Sequence, residues 1–137
     1  MFSVLVAFGE AFGEDSVAAA RSEHRQLRKN AMRYFEVWNN HDVPGLKSLL
    51  ATEATLRDWD VEAKGDDAVA AANAKIFAAV PGIKIDVLTT HVAVLTRTAV
   101  CEILVKLNNE KGEVLKVVDI ITFDEQGKIV SVRAYKG

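Results

Sequence analysis

Cysteine is nearly absent: Cys101 stands alone, which excludes an internal disulfide and any metal centre built on paired thiolates. A lone thiol fits a reducing compartment, so a cytoplasmic location is expected. The three histidines, His24, His41 and His91, share no ligand spacing, and no metal site is expected. Lys and Arg form no single run and the net charge is −2, so there is no basic field to hold nucleic acid. Long hydrophobic runs are also missing. The apolar stretch from Met1 to Phe8 has no basic lead, is too short to span a bilayer, and is followed by Glu10, Glu14 and Asp15. Neither a secretory signal nor a membrane segment is expected. Residues 1–15 read as an N-terminal arm, for which an extra strand, a docking arm and a partly disordered tail all stay open.

What the chain does contain is an ordinary globular balance, 50% hydrophobic and 26% charged residues over 137 positions. That length suits one domain with a real core, assigned to residues 16–137. No repeat, linker or low-complexity segment interrupts it.

From Asp15 or Ser16, either able to cap a helix, the chain runs without Pro or Gly to about Asn39. Leu27, Ala31, Tyr34, Phe35 and Trp38 recur at helical spacing, with Arg25, Arg28, Lys29 and Arg33 mostly opposite. Asn40, His41 and Asp42 end this helix and cap a second, in which Pro44 lies near the first turn and Leu46, Leu49 and Leu50 form the apolar side. Ala54 to Asp60 alternates as a short strand in which Leu56, Asp58 and Asp60 share a side. A third helix starts at Gly65, Asp66 and Asp67 and runs to Val80, where Pro81 and Gly82 stop it. Its apolar stripe, Val69, Asn73, Ile76, Phe77 and Val80, holds one amide.

After Pro81 the sequence turns β-rich. Four runs, about 83–95, 97–107, 113–123 and 129–135, are separated by turn signals and predict an antiparallel meander. The whole is an α+β domain with three helices gathered on one face of a curved, mainly antiparallel sheet. Val118 and Ile120 lie on the face opposite to Val117, Ile121 and Phe123. Helices covering one face leave the other apolar and free, so a homodimer through the outer sheet face is expected.

Asp119 shares the apolar face of its strand with Val117, Ile121 and Phe123. A carboxyl group there must be paired, hydrogen-bonded, or kept protonated by a raised pKa; a solvated face and a buried ion pair are the plain alternatives. Tyr34 reads equally as a core tyrosine with its hydroxyl at the surface and as a buried phenol needing a partner. Asp58 reads as a base at a pocket mouth or as the point where its strand leaves the core. Asn73 is satisfied by neighbouring backbone or meets a ligand.

Three stretches taken together resemble the NTF2-like superfamily, within it the SnoaL-like and ketosteroid isomerase-like branch: Arg33-Tyr34-Phe35-Glu36-Val37-Trp38-Asn39-Asn40-His41-Asp42, Ala54-Thr55-Leu56-Arg57-Asp58-Trp59, and Val118 through Ile129. The resemblance covers about residues 27–136. It implies a cone-shaped, cystatin-like fold whose strongly bent sheet wraps around helices and leaves an apolar cavity open at one end. It also implies, by matching position, that Tyr34 and a protonated Asp119 form an oxyanion hole and that Asp58 is the base. Trp38, Trp59, Asn73 and Phe123 are expected to contact the ligand. Leu50 and Asn73 stand where some isomerases have supporting tyrosines, and Lys136 where the family has a pocket aromatic, so a ligand smaller or more polar than a steroid is expected.

The leading expectation is a cofactor-free enzyme that moves a proton next to the carbonyl of a small apolar compound, an isomerase or a related cyclase or dehydratase. The alternative is a non-catalytic ligand-binding or dimerisation module that keeps the cavity without the chemistry. Recognition of a peptide or protein partner, as in transport members of the superfamily, has less support in the residues.

Overall fold

The computed structural model describes residues 2–137, with side chains from Asp15 onward. Its elements are α1 (Phe2–Asn39), α2 (Val43–Leu49), β1 (Leu50–Arg57), β2 (Glu62–Lys64), α3 (Asp66–Ala79), β3 (Lys84–Ala93), β4 (Thr98–Lys106), β5 (Val114–Phe123) and β6 (Ile129–Lys136). The expected α+β class holds: three helices and one six-stranded sheet of order β2-β1-β6-β5-β4-β3. The four-strand meander is present, and every pair within it is antiparallel. Two features go beyond it. The short β2 pairs antiparallel with β1, and β1 joins the meander by pairing parallel with β6.

α1 runs from Phe2, so Asp15 and Ser16 lie inside the helix and do not cap it. The side chains that would decide the fate of the N-terminal arm lie outside the described residues. Further along, the expected apolar stripe is buried at Leu27, Ala31, Tyr34, Phe35 and Trp38. The helix stops because His41 takes a left-handed backbone, φ 51°. Asp42 then caps α2, its carboxylate accepting from the Gly45 backbone N–H at 3.0 Å. Leu50 is not part of α2; it opens β1, opposite Ile129 of β6.

The α1–α2 turn is fastened to β3 by side chains. Asn39 donates through Nδ2 to the Ile85 carbonyl (2.8 Å) and accepts the Ile85 N–H at its Oδ1 (2.7 Å). His41 meets the Ile83 carbonyl through Nε2 (2.7 Å) and stacks on Phe77, centroids 4.3 Å apart and planes at 7°. His41 is thus a structural fastener. Gly65, at φ 97°, turns the chain from β2 into α3, a backbone conformation that favours glycine.

The register slips between Val87 and Thr89 on β3, between Thr122 and Phe123 on β5, and between Leu50 and Thr55 on β1. Such bulges bend and twist a sheet, which lets it curl about the helices. The inner face is close-packed around Ala99, Cys101, Ile103, Ile121 and Val132. Among the described residues no helix is long and apolar enough to cross a membrane.

Candidate active site

The inner face of β5 alternates as its sequence requires: Val117, Asp119, Ile121 and Phe123 are all buried. Asp119 sits in the middle of a cross-strand row, opposite Cys101 of β4 on one side and Ala134 of β6 on the other. Only 5% of its surface is exposed, and its strand neighbours offer it no charge of opposite sign. Burial, with a smaller contribution from the charge of Asp58, pushes its carboxyl up to about 7.

From this row a cavity of about 290 Å³ extends toward the end of the cone. Tyr34 and Trp38 of α1 and Asn73 and Ile76 of α3 form one wall, and the inner sheet face forms the other. The turn after β1 brings Asp58 and Trp59 to its rim. Most of the lining is aliphatic, including Leu56, Ile103, Val117 and Val132. The polar groups are few and converge, the usual character of a small-molecule site.

Tyr34 is buried, and burial followed by the charges of Asp119 and Cys101 pushes its hydroxyl well above the ordinary phenol value. At neutral pH it is a neutral donor. Neither its hydroxyl nor the Asp119 carboxyl makes a hydrogen bond among the described residues, while no fully buried side-chain nitrogen or oxygen is left without a partner. Both polar ends therefore open to the cavity. Each can donate to an acceptor placed in the cavity, Asp119 while it holds its proton.

Asp58 is half-buried where β1 ends. Its Oδ1 accepts the backbone N–H groups of Asp60 (2.8 Å) and Val61 (2.6 Å), and its own N–H donates to the Val61 carbonyl (2.9 Å). This Asx turn closes the β1–β2 hairpin, in which Arg57 opposes Glu62. No described hydrogen bond falls on Oδ2. One carboxylate oxygen therefore holds the turn.

The remaining expected ligand contacts divide. Trp38 lines the cavity, but its indole N–H is committed to Asn73 Oδ1 at 2.9 Å. Asn73 also lines the cavity, and its Nδ2 donates to the Val69 carbonyl at 2.9 Å, so its amide chiefly holds α1 against α3. Trp59 lines the rim and remains 41% exposed. Phe123 does not line the cavity. It shares the Asp119 face but lies four residues along β5, about 13 Å at strand rise, where it packs in the core opposite Ile129. Face alternation cannot tell the deep end of a row from the open end.

Three lining residues were not among the expected ligand contacts. Asp60 and Val61 line the cavity through the turn that Asp58 organises, and Ala134 borders it beside Asp119. The pattern Asp58-Trp59-Asp60-Val61, an aspartate opening a tight turn after a strand, is the signal for the first two.

Solved structures of the same fold lie close to this one. A cystatin-like protein of unknown function from Methylobium petroleophilum superposes with a TM-score of 0.74 at 18% identity, covering 83% of this chain and 77% of that one. A putative isomerase of the SnoaL-like family from Agrobacterium tumefaciens gives 0.70 at 17% identity, covering 82% and 98%. SalBIII, an epoxide hydrolase/cyclase-like enzyme with a role in pyran ring formation in the polyether salinomycin, gives 0.71 at 17% identity, covering 82% and 92%. No curated protein matches the sequence. The family model for the SnoaL-like domain matches residues 31–132, which span both Tyr34 and Asp119, and the chain belongs to that family.

Proposed function

We propose that the chain is an isomerase-type enzyme that transfers a proton next to the carbonyl of a small, mostly apolar ligand. The observation that carries this reading is the pairing of two unpartnered donors, Tyr34 and Asp119, with the Asp58 carboxylate on the rim of the same cavity.

The chemistry follows from where charge moves. Asp58 takes a proton from the carbon beside the carbonyl, and the C–H electron pair becomes the carbon–carbon π bond of an enolate. The former carbonyl π pair then rests on oxygen, where the Tyr34 hydroxyl and the protonated Asp119 donate to it. In a ligand with a carbon–carbon double bond at the β,γ position the enolate is a dienolate, and Asp58, now protonated, returns the proton to its γ-carbon: the γ-carbon's π pair forms the new C–H bond, the double bond moves to α,β, the carbonyl re-forms and Asp58 regains its charge. The two aspartates have different tasks because their surroundings differ: Asp119 is desolvated on an apolar row, and Asp58 accepts backbone N–H groups at the rim. A protonated acid facing a carboxylate base also suits a cyclase, and SalBIII, of the same fold, is epoxide hydrolase/cyclase-like.

A second reading rests on one observation, the commitment of Asp58 Oδ1 to the turn. In a non-catalytic binding module that structural task would be its whole role. Hydrogen–deuterium exchange beside the carbonyl of 2-tetralone in D₂O separates the two. The wild type is expected to accelerate exchange over buffer, and Asp58→Asn to lose that acceleration by on the order of 100-fold. Exchange by Asp58→Asn at the wild-type rate would leave the binding module as the reading.

A further inference from the structure

The rim of the cavity carries a contact that the proton-transfer chemistry does not use. Trp59 follows Asp58 in the β1–β2 turn, and its ring both lines the cavity and receives the ammonium of Lys136, with Nζ 5.2 Å from the ring centroid. Lys136 reaches it from the end of β6. By register it stands opposite Val117, a cavity-lining residue and one inward-facing position nearer the opening than Asp119. An ammonium over an indole is attracted to the ring face, and the pair holds an otherwise half-exposed side chain against the rim. The Asx turn made by Asp58 fixes the backbone beneath the ring.

The space behind that rim is small. A volume of about 290 Å³ lies just under the range of about 300–1,000 Å³ usual for small-molecule pockets. It equals roughly ten water-sized shares of liquid volume. At the packing density of protein interiors, about 0.74, a ligand filling it would have on the order of 14 non-hydrogen atoms. A one- or two-ring compound fits wholly within it, whereas a four-ring skeleton would extend past the rim, where Trp59 stands.

The polar lining narrows the class again. At the deep end Tyr34 and Asp119 present donors, and the Asn73 oxygen is already taken by Trp38. The acceptor within reach is the Asp58 carboxylate at the rim. A ligand placed there needs an oxygen that accepts at its deep end, which a carbonyl or a phenol supplies.

The geometry points to Trp59, held by Lys136, as the residue that sets ligand size, and to a neutral one- or two-ring carbonyl compound as the substrate class. The class rests on the proton-transfer reading above; the size limit does not.

Phenols test both, because a phenol oxygen occupies the place of the enolate oxygen. Phenol, 2-naphthol and the four-ring phenol equilenin would be titrated against the wild type, Trp59→Ala and Lys136→Met by fluorescence. The wild type is expected to bind 2-naphthol at least tenfold tighter than equilenin. Trp59→Ala should bind equilenin at least tenfold tighter than the wild type does, reversing the wild-type ranking of 2-naphthol over equilenin. Lys136→Met, which keeps the indole but releases it, should gain less. Equilenin bound by the wild type as tightly as 2-naphthol, or no gain in Trp59→Ala with its circular dichroism unchanged, would overturn the gate.

Tyr34→Phe and Asp119→Asn separate the two proposals. If they leave 2-naphthol binding unchanged while the size ranking holds, the oxyanion reading fails and the gate stands. If neither the wild type nor Trp59→Ala binds any of the three phenols, both fail.

Discussion

Trp38 donates its indole N–H to Asn73 Oδ1 at 2.9 Å, and Asn73 passes the link on through Nδ2 to the Val69 carbonyl, so one buried amide ties α1 to α3 along the cavity wall. Trp38 also packs edge-on against Phe77, centroids 4.9 Å apart. The indole is held by a hydrogen bond at one end and by aromatic contact along its side.

Asn73→Ala removes the acceptor and leaves a buried N–H unpaired. Such a group costs about 1–3 kcal/mol. Urea unfolding of the variant should show a loss in that range, and its folded-state tryptophan emission should shift as Trp38 loses its partner. Stability within about 0.5 kcal/mol of the wild type, the scatter of surface substitutions, would show that the bond does not hold the helices.

Asp58 does two things through two oxygens, and two substitutions separate them. Asparagine keeps Oδ1 and with it the acceptor for Asp60 and Val61, whereas alanine removes it. Thermal unfolding should place Asp58→Asn near the wild type and Asp58→Ala about 1 kcal/mol lower, the usual worth of a side chain capping backbone N–H groups. Activity should be lost in both. Equal stability in all three proteins would mean that the turn closes without the carboxylate.

Much of this was legible in the sequence because it is local. The stripe ending at Trp38, the alternation that puts Asp119 on a buried face and the turns of the meander all follow from spacing within a few residues. What was not legible depends on residues far apart. The parallel pairing of β1 with β6 sets Leu56 opposite Val132, and nothing near Leu56 announces it. The three-residue β2 is too short to show a period. Phe123 obeys the same alternation as Asp119, yet only the tertiary arrangement shows that the cavity stops short of it. Leu50 belongs to β1 because Ile129 waits opposite it, a contact outside any local window.

The outer sheet face supports an expectation about assembly. Val100 stands opposite Ile120 and Val118 opposite Tyr135, while Glu102 and Arg133 supply both signs of charge on the same face. A two-fold axis through such a surface lets each copy offer what the other needs. Sedimentation should show a dimer at micromolar concentration, and Ile120→Glu should shift it toward monomer with the fold kept. A wild type sedimenting as monomer at that concentration would refute the association.

The raised carboxyl of Asp119 gives stability a pH dependence whose sign can be worked out. Its value is about 7 in the folded chain against 3.8 for a free side chain. Below the lower value both states hold the proton. As pH rises from there to about 7, the unfolded chain releases a proton that the folded chain keeps, so folding stability falls; above 7 both are ionised and the fall ends. At about 1.4 kcal/mol per unit, that span amounts to on the order of 4 kcal/mol. Asp119→Asn, neutral at every pH, has no such term. Urea midpoints measured from pH 4 to 8 should therefore decline in the wild type relative to the variant, and most steeply before neutrality. The same ionisation removes one of the two donors facing the cavity, so 2-naphthol binding by the wild type should weaken as pH passes 7 while the variant's stays level until the naphthol itself ionises. Parallel stability curves for the two proteins would show that Asp119 ionises in the fold as it does in the unfolded chain, and the oxyanion role would go with it.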